Sequence, residues 1–576
     1  MELQLDWHID RVRSGWAAGP DTLYVMRRLA DLPAEVTAAG APRRVLEVAA
    51  AEAVHSCKLS LLGVESFVVE PSPVMLEQAR ARMIEHGATL TLVRGVAEAL
   101  PFRDRTFDRV LLDSAIDHLG EPGAGIREMA RVLEPDGRMV IGFVNYESVS
   151  ARLSRRLYRI ARRLGVAGAR RTLFWDSPVP VEHTFECTLP VLQQLCAPYL
   201  ELDRVFGVSI GWMVPGWGRF LRRLPTARAL ALVRRLDAMA YRAPRQADFV
   251  VSVWHPRPGT RVGADRWPTV GSPRAVERTD LLYRSKVGPE AEFWAGREFG
   301  RGVFGVGIPG GGDVAERMTN QAYTGDPERM WIDDLIARGP FRRAAVLGCD
   351  EAGYERLWLE RGGSALLDVY ELSPDVIRKV RAGLGLGWSA RCGPKYGPGR
   401  RVRFRRADLN FAALPAERYD VIWSSGCLHH IVNLEHLFDE VARALRPGGL
   451  FALCDYVGER RMQFAPARLA RINAALEEVP ERYRRVAPVV PVRVETLSPF
   501  CAVRPQDILP LAKARFDTLH EAFAGALFPL TVAVDLAAME REAPDTLARV
   551  VAAEAAALAE PGARPCGVYA VFRRRA

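Results

Sequence analysis

The chain repeats one series of segments, and this repeat limits the fold more than any other feature of the sequence. Each copy has three apolar strands, an amphipathic helix, a proline-containing turn and a fourth strand. We predict the strands of the first copy at 43–48, 67–70, 107–113 and 139–143, and those of the second at 344–348, 367–371, 419–423 and 450–454. In each copy the aspartate of the third strand, Asp108 or Asp420, lies 27 positions before the proline of the turn, Pro135 or Pro447. We therefore predict two copies of one domain.

Strands and helical patterns alternate along both copies. Such alternation gives a parallel sheet with helices on both faces, which is the doubly wound α/β architecture. We predict two Rossmann-like domains of this class in tandem, each with helical additions, at residues 1–255 and 281–576. The segment 256–280 between them is rich in proline and glycine and has no hydrophobic period, which is typical of a linker.

The composition fits a protein with several hydrophobic cores and argues against some function classes. Hydrophobic residues make up 49% and charged residues 26% of the 576 residues. No apolar run reaches the ~18 residues of a membrane span, and the first residues lack a signal-peptide pattern, so we expect a cytoplasmic protein. The nine cysteines contain no CxxC pair, which predicts reduced thiols rather than a disulfide framework or a zinc module.

The net charge is +10, and its densest part is a basic amphipathic segment from Arg152 to Arg171. Arginines alternate there with leucines and an isoleucine at helical spacing. One interpretation is a helix docked on its own domain with the arginines in water. The other is peripheral contact with an anionic membrane or a phosphorylated substrate. We expect no nucleic-acid partner, because no RNA-binding aromatic pattern, zinc finger or basic zipper accompanies the charge.

An acid closes the second predicted strand of each copy, Glu70 in the first and Glu371 in the second. Doubly wound sheets bind ligands at the carboxyl ends of their strands, where a carboxylate can accept hydrogen bonds from both hydroxyls of a ribose. Because Ser-Pro follows two positions after each acid, the N-terminal cap region of a helix is an alternative interpretation of the same pattern.

Several motifs resemble those of class I S-adenosylmethionine-dependent methyltransferases of the type-11 kind. In the first copy they are the run 94–108 and the turn 134–137, and in the second they are Ala407-Asp408-Leu409-Asn410, Leu428-His429-His430-Ile431 and the turn 446–449. Two later segments, 455–460 and 502–509, are similar to a bacterial subfamily often associated with cell-surface glycans. The resemblance implies S-adenosylmethionine as the cofactor and methyl transfer as the reaction.

The resemblance also implies a glycine-rich loop after the first strand, and the first copy departs from this pattern. Alanine stands at the three glycine positions, Ala49, Ala51 and Ala53, and Val96 replaces the aspartate that meets the adenine amine in the family. A left-handed backbone conformation costs an alanine roughly 1 kcal/mol. We predict that the first domain is degenerate.

The second copy keeps more of the implied site, so we predict that the second domain binds the cofactor. Its loop retains the first glycine and places Asp350 and Ala352 at the other two glycine positions, with Gly353 available to shift the turn by one residue. The resemblance assigns Glu371 to the ribose and Asp408 to the adenine. The candidate cofactor-binding residues are Gly348, Cys349, Asp350, Gly353, Glu371, Asp408 and Leu409.

Methyl transfer to a hydroxyl needs a base beside the acceptor, whereas the sulfonium methyl of the cofactor is already activated. His430 is the candidate catalytic base and His429 is the second choice, because both follow the third strand of their domain. The alternative is that one histidine caps the next helix or packs beneath the loop. We expect no metal site, because no carboxylate or cysteine completes a ligand set with His429, His430 and His436. The corresponding pair in the first copy is Asp117 and His118.

These motifs predict a methyltransferase in which the second domain is active and the first is a pseudo-domain. The expected acceptor is a hydroxyl of a small molecule, a glycan or a lipid-linked compound. The alternative is a non-catalytic binding or scaffold protein built from two lapsed domains. A nicotinamide-dependent oxidoreductase is disfavoured, because neither first loop has the G-x-G-x-x-G pattern that such an enzyme requires.

Overall fold

The computed structural model describes residues 20–163, 185–212, 214, 216–258, 276–296, 314–349, 352–386, 401–486, 488–489, 497–560, 563 and 565–575. The chain divides into two compact units. The first unit comprises Met1–Thr269 and Thr279–Lys286, and the second comprises Val270–Arg278 and Val287–Ala576. Residues 259–275 of the predicted linker lie outside the described residues, so the linker stays a prediction.

The first unit contains a seven-stranded sheet with the strand order β3-β2-β1-β4-β5-β7-β6. Its strands are β1 (Arg44–Val48), β2 (Glu65–Glu70), β3 (Leu90–Arg94), β4 (Phe107–Asp113), β5 (Leu133–Val144), β6 (Leu200–Val208) and β7 (Phe249–Pro256). Its described helices are α1 (Pro20–Ala38), α2 (Val54–Leu61), α3 (Pro73–His86), α4 (Pro122–Val132), α5 (Val149–Arg163), α6 (Leu189–Cys196), α7 (Trp217–Leu221) and α8 (Thr226–Arg242).

The second unit repeats this architecture with the strand order β10-β9-β8-β11-β12-β14-β13. Its strands are β8 (Phe341–Leu347), β9 (Ser364–Glu371), β10 (Arg401–Arg406), β11 (Tyr419–Ser425), β12 (Leu445–Tyr456), β13 (Phe516–Ala524) and β14 (Gly567–Arg574). The helix α9 (Leu281–Gly296) contributes its residues from Val287 onward. The other described helices are α10 (Val314–Thr324), α11 (Trp331–Ala337), α12 (Gly353–Glu360), α13 (Pro374–Gly383), α14 (Leu434–Ala444), α15 (Pro466–Glu477), α16 (Ile508–Arg515), α17 (Phe528–Ala533), α18 (Leu536–Glu542) and α19 (Pro544–Ala559).

Both sheets confirm the predicted doubly wound class, with one difference. The first five strands of each sheet are parallel, but the last strand along the chain, β7 or β14, runs antiparallel to both of its neighbours. An antiparallel strand does not need the crossover helix that parallel strands require. The alternation of strands and helices therefore predicts the parallel part of each sheet and does not reveal the direction of this strand.

The aspartate that recurs in both copies holds the start of the first strand of each sheet. The backbone N–H groups of Arg43 and Arg44 donate to the Asp108 carboxylate at 2.7 and 3.2 Å. The N–H groups of Arg342 and Arg343, in β8, donate to Asp420 at 2.7 and 2.8 Å. The repeated spacing in the sequence thus corresponds to a repeated hydrogen-bonded join between β1 and β4, and between β8 and β11.

The central strands are apolar because helices cover both faces of each sheet. In β11, for example, Val421, Ile422 and Trp423 are buried, and Leu437 and Val441 of α14 are buried with them. Side chains in the middle of such strands have no access to a polar ligand. Chemistry in each unit is therefore confined to the ends of the strands and to the loops that follow them.

The predicted basic helix is present as α5, which ends at Arg163 in the described part of the chain. Residues 164–171 of that prediction lie outside the described residues. No helix in the described part has both the length and the apolar character needed to cross a membrane.

Candidate functional site

Polar groups of the second unit lie at the carboxyl ends of three parallel strands of one sheet, β9, β11 and β12. Glu371 is the last residue of β9, and Asp455 lies one residue before the end of β12. A short 3-10 helix, Leu428–His430, follows β11. Because carboxyl ends of parallel strands meet at one edge of a doubly wound sheet, this edge is the expected position of a ligand.

Glu371 is buried and accepts two backbone hydrogen bonds. The N–H of Cys349 donates to Oε2 at 3.2 Å, and the N–H of Ser373 donates to Oε1 at 2.7 Å. The helix cap that the sequence offered as an alternative is Ser373, whose hydroxyl accepts a hydrogen bond from the N–H of Val376. Glu371 itself therefore joins the end of β9 to the loop after β8, and its carboxylate faces that loop.

Gly348, the first residue of that loop, could not be replaced by a larger residue without a rearrangement. Its φ is +75°, and a β-carbon at this position would overlap the side chain of Cys427. Asp350 lies outside the described residues. The suggested shift of the turn does not occur: Ala352, with φ of +67°, has the left-handed conformation, and Gly353 is the first residue of α12.

Asp408 and Leu409 follow β10, on the far side of Glu371 from the loop. The N–H of Ala407 donates to the Glu371 carbonyl at 2.9 Å, which ties this segment to β9. Asp408 is half-buried and accepts a hydrogen bond from the N–H of Asn410 at 3.1 Å. Leu409 is buried. The structure thus brings the predicted ribose and adenine residues to one edge.

His429 is buried and paired with a carboxylate. Its Nδ1 lies 2.6 Å from Asp455 Oδ1, and Asp455 also accepts backbone N–H bonds from Cys427 and Leu428 at 3.0 and 2.8 Å. Burial by itself lowers the pKa of His429, but the Asp455 carboxylate outweighs it and raises that pKa to about 10. At neutral pH, His429 is therefore a fixed cation.

His430 is also buried, but its charge state differs. Its Nδ1 lies 3.0 Å from Glu290 Oε1 and 3.3 Å from the Ser498 hydroxyl. Its Nε2 has no hydrogen-bond partner among the described residues. Burial and the adjacent His429 lower the pKa of His430, despite the opposing effect of Glu290. At neutral pH, His430 is therefore an uncharged imidazole whose Nε2 is buried and unpartnered among the described residues.

Glu290, on α9, was not singled out by sequence reasoning. Its carboxylate accepts hydrogen bonds from the Trp294 indole at 2.7 Å, the Ser498 hydroxyl at 3.0 Å and the Phe500 N–H at 2.8 Å, in addition to its contact with His430. Burial raises the pKa of Glu290, but His430 and these donors outweigh it and hold the pKa below its usual value. No motif marks Glu290, because it lies 140 positions before His430.

The expectation about metal ligands is wrong in one respect. His436 is bonded to the Ala412 carbonyl at 3.0 Å through Nε2, whereas Cys501 approaches the other two histidines. One nitrogen each of His429 and His430 and the sulfur of Cys501 lie within 4.8 Å of one another. A cysteine therefore does join the histidine pair, although the proton that Asp455 holds on His429 competes with a metal ion for that ring.

In the first unit, Glu70 occupies the place of Glu371. It accepts hydrogen bonds from the N–H groups of Ala51 and Ser72, both at 2.9 Å. The loop after β1 keeps the turn of a glycine-rich loop, because Ala49, Ala51 and Ala53 have φ of 51°, 47° and 57°. The three alanines therefore adopt the left-handed conformation that the sequence analysis identified as strained.

We expect Ala51→Gly to raise the free energy of unfolding of the first unit by about 0.5–1 kcal/mol. Glycine removes a left-handed penalty of roughly 1–2 kcal/mol, part of which is offset by the greater entropy of the unfolded chain. Denaturant unfolding of the whole chain measures the change. The matched control is Ala81→Gly, at an exposed position inside α3, which should destabilise the same unit by about 1 kcal/mol. Equal effects of the two variants would contradict strain at Ala51.

A buried charged cluster distinguishes the first unit from the second. His55 Nε2 lies 3.4 Å from Asp113 Oδ2, and Glu47 is buried in β1. Burial lowers the pKa of His55, but Asp113 and Glu47 outweigh it, and the net effect is a raised pKa. By strand register and position in the helix, Val346, Tyr354 and Ser425 of the second unit stand at the positions of Glu47, His55 and Asp113.

Val96 stands where the family has the aspartate that contacts the adenine amine, and its side chain is 43% exposed.

Comparison with known proteins identifies the family of both units. Residues 46–141 and 347–453 each match the type-11 methyltransferase family, described as "Methyltransferase domain". A demethylmenaquinone methyltransferase of Clavibacter sepedonicus is 33% identical over 132 residues, which cover 23% of this chain and 51% of that protein. An uncharacterized protein of Mycobacterium tuberculosis (strain ATCC 25618 / H37Rv) is 32% identical over 137 residues, covering 23% and 49%. The chain spans about half the length of these curated relatives.

Solved structures include similar chains at low identity. The YcgJ protein of Bacillus subtilis is 19% identical with a TM-score of 0.27, covering 40% of this chain and 98% of that one. A phosphoethanolamine N-methyltransferase 2 of Haemonchus contortus is 13% identical with a TM-score of 0.29, covering 97% and 100%. The two family matches fall one in each compact unit. The chain therefore contains two class I methyltransferase domains in tandem.

Proposed function

We propose that the protein is an S-adenosylmethionine-dependent methyltransferase in which the second domain transfers the methyl group and the first domain has lapsed. One observation carries the proposal: a buried carboxylate closing β9, Glu371, shares a sheet edge with a neutral imidazole following β11, His430. The acceptor we propose is a hydroxyl of a small molecule, a glycan or a lipid-linked compound. Partial relatives named demethylmenaquinone methyltransferases support a small-molecule acceptor.

Three features of the second unit support our proposal that it binds S-adenosylmethionine. Gly348 gives the loop its left-handed turn with φ of +75° and lets the backbone pass close to the Cys427 side chain, where a β-carbon would overlap. Glu371 accepts N–H bonds from Cys349 and Ser373 at the end of β9, and we assign its carboxylate to the ribose hydroxyls. We assign Asp408 to the adenine amine and Leu409 to its apolar surroundings; Cys349 and Gly353 complete the proposed contacts. When bound, the cofactor supplies a methyl group that is already activated.

His430 is the proposed base. Glu290 accepts a hydrogen bond from the Nδ1–H of His430. This bond keeps the proton on Nδ1 and leaves the lone pair of the neutral ring on Nε2. The proton that leaves the acceptor hydroxyl goes to this Nε2, and Glu290 stabilises the imidazolium that results. His429 does not suit the same role, because its pKa of about 10 keeps it protonated. We propose that its charge keeps His430 neutral.

We expect Glu290→Gln to lower turnover about tenfold, a typical cost of losing a partner that orients a reacting group. The carboxylate raises the pKa of His430, so its removal lowers that pKa further. His430 is then a weaker base, and the fall in turnover on the acid side moves to lower pH. The pH dependence of kcat measures both effects. Cofactor affinity should stay within a few-fold of the parent value.

The control for this variant is Glu316→Gln, which neutralises a similarly buried acid on α10. Its pH profile should coincide with that of the parent protein. If Glu290→Gln lowered activity without moving the profile, a structural role for Glu290 would be the better explanation.

The first domain is proposed as a binding or stabilising partner. Three features support this: the left-handed alanines of its loop, the exposed Val96 in place of an aspartate, and the cluster of the ionisable residues Glu47, His55 and Asp113. Calorimetric titration of S-adenosylmethionine and S-adenosylhomocysteine into the purified chain tests the whole proposal. One site per chain is the expected stoichiometry. No binding would favour the scaffold function, and two sites would show that the first domain has not lapsed.

A further inference from the structure

The helix α5 presents an apolar stripe to solvent. Val149, Leu153, Leu157 and Ile160 are 40%, 42%, 42% and 54% exposed. Their spacing of four, four and three residues places them along one side of the helix. Four aliphatic side chains side by side form a continuous exposed patch, whereas isolated exposed leucines are common on any protein surface.

A different face of α5 attaches it to its own unit. Ala151 and Ser154 are buried, and the guanidinium of Arg155 donates to the Tyr146 carbonyl at 2.6 Å. The helix is thus docked, as one interpretation of the sequence expected, but it docks through small residues. The leucines of α5 face outward: Leu153 and Leu157 are each 42% exposed.

Arginines lie directly beside the apolar stripe. The sequence of α5 contains six arginines and no acidic residue. Arg152 and Arg156 are exposed beside the apolar stripe. An apolar stripe next to a purely cationic row is the pattern of a helix that lies in the plane of a membrane surface.

We propose that α5 docks on the surface of an anionic lipid bilayer. The stripe enters the boundary between head groups and acyl chains, and the arginines pair with lipid phosphates. A nucleic acid would engage the arginines but leave the four aliphatic side chains in water. Of these two partners, only the lipid surface accounts for both features. This inference concerns the first unit and does not depend on the methyl-transfer proposal.

Vesicle flotation with the full chain tests the proposal. We expect binding to vesicles that contain phosphatidylcholine and phosphatidylglycerol, and at least tenfold weaker binding to phosphatidylcholine alone. The double variant Leu153→Glu and Leu157→Glu should reduce binding at least tenfold. The double variant Arg152→Gln and Arg156→Gln should also reduce binding at least tenfold. High salt should weaken the binding of the parent protein. The matched control is Ile84→Glu on α3, whose side chain is 71% exposed; it should bind as the parent does.

Three results would overturn the proposal. The first is equal binding to charged and uncharged vesicles. The second is unchanged binding by both double variants. The third is a chain that does not float with vesicles but is retained on RNA, provided that the arginine variant loses this retention. Circular dichroism of each variant confirms that it is folded, which is expected because every substituted side chain is exposed.

Discussion

Replacing His430 with alanine should lower the turnover of methyl transfer by about 10²- to 10⁴-fold, the usual contribution of a positioned general base. The imidazole is buried, uncharged and held through Nδ1 by Glu290, so its loss removes the proton acceptor. The affinity for S-adenosylmethionine should change little, because His430 follows β11 whereas the proposed ribose carboxylate closes β9. Single-turnover kinetics with saturating cofactor separate the chemical step from binding.

The matched control is His118→Ala at the corresponding position of the first unit. His118 lies 3.9 Å from Asp117 and is 28% exposed at its side chain, and its removal should leave turnover within a few-fold of the parent value. The opposite ranking would place the active site in the first domain. If the His430 variant instead lost its fold or its cofactor, the histidine would be a packing residue, as the alternative interpretation of the sequence holds.

The parts of the fold that the sequence predicted are those set by local pattern. The predicted strand 107–113 coincides with β4, whose middle residues 110–112 are apolar because helices cover both faces of the sheet. The edge strand β10, Arg401–Arg406, carries four arginines in six residues, so its sequence resembles a basic loop. The strands β6 and β13 are also edge strands, and their places depend on pairing with β7 and β14, which is long-range.

The candidate site shows the same difference between residues marked by local sequence pattern and residues brought in by long-range contacts. Glu371 was found because it ends a predicted strand, and the two histidines were found because they follow one. Asp455 and Glu290, which set the charge states of the histidines, were missed as partners. Asp455 lies 26 positions from His429 in the sequence, and Glu290 lies 140 positions from His430. No local sequence pattern indicates contacts between residues so far apart. A sequence can therefore mark the reacting group and leave its protonation state unknown.

Replacing Glu371 with alanine should weaken the binding of S-adenosylmethionine about ten- to a hundredfold. A ribose diol without its acceptor loses charge-assisted hydrogen bonds worth roughly 1.5–3 kcal/mol. The same variant also leaves the N–H groups of Cys349 and Ser373 without their acceptor, so the loop after β8 loses a restraint as well as a ligand contact. Calorimetric titration of the whole chain measures the dissociation constant directly. Asp408→Ala should weaken binding less, because adenine also packs on apolar surfaces.

The equivalent change in the first unit, Glu70→Ala, is the control that separates a ligand contact from a loop restraint. Glu70 accepts the same kind of N–H bonds from Ala51 and Ser72, so both variants loosen a loop in the same way. Only Glu371→Ala should lower cofactor affinity if the second domain holds the cofactor. A loss of affinity in Glu70→Ala alone would reverse the roles of the two domains. Parent-like affinity in both variants would mean that neither carboxylate binds a ribose, and the proposed cofactor site would have to be abandoned.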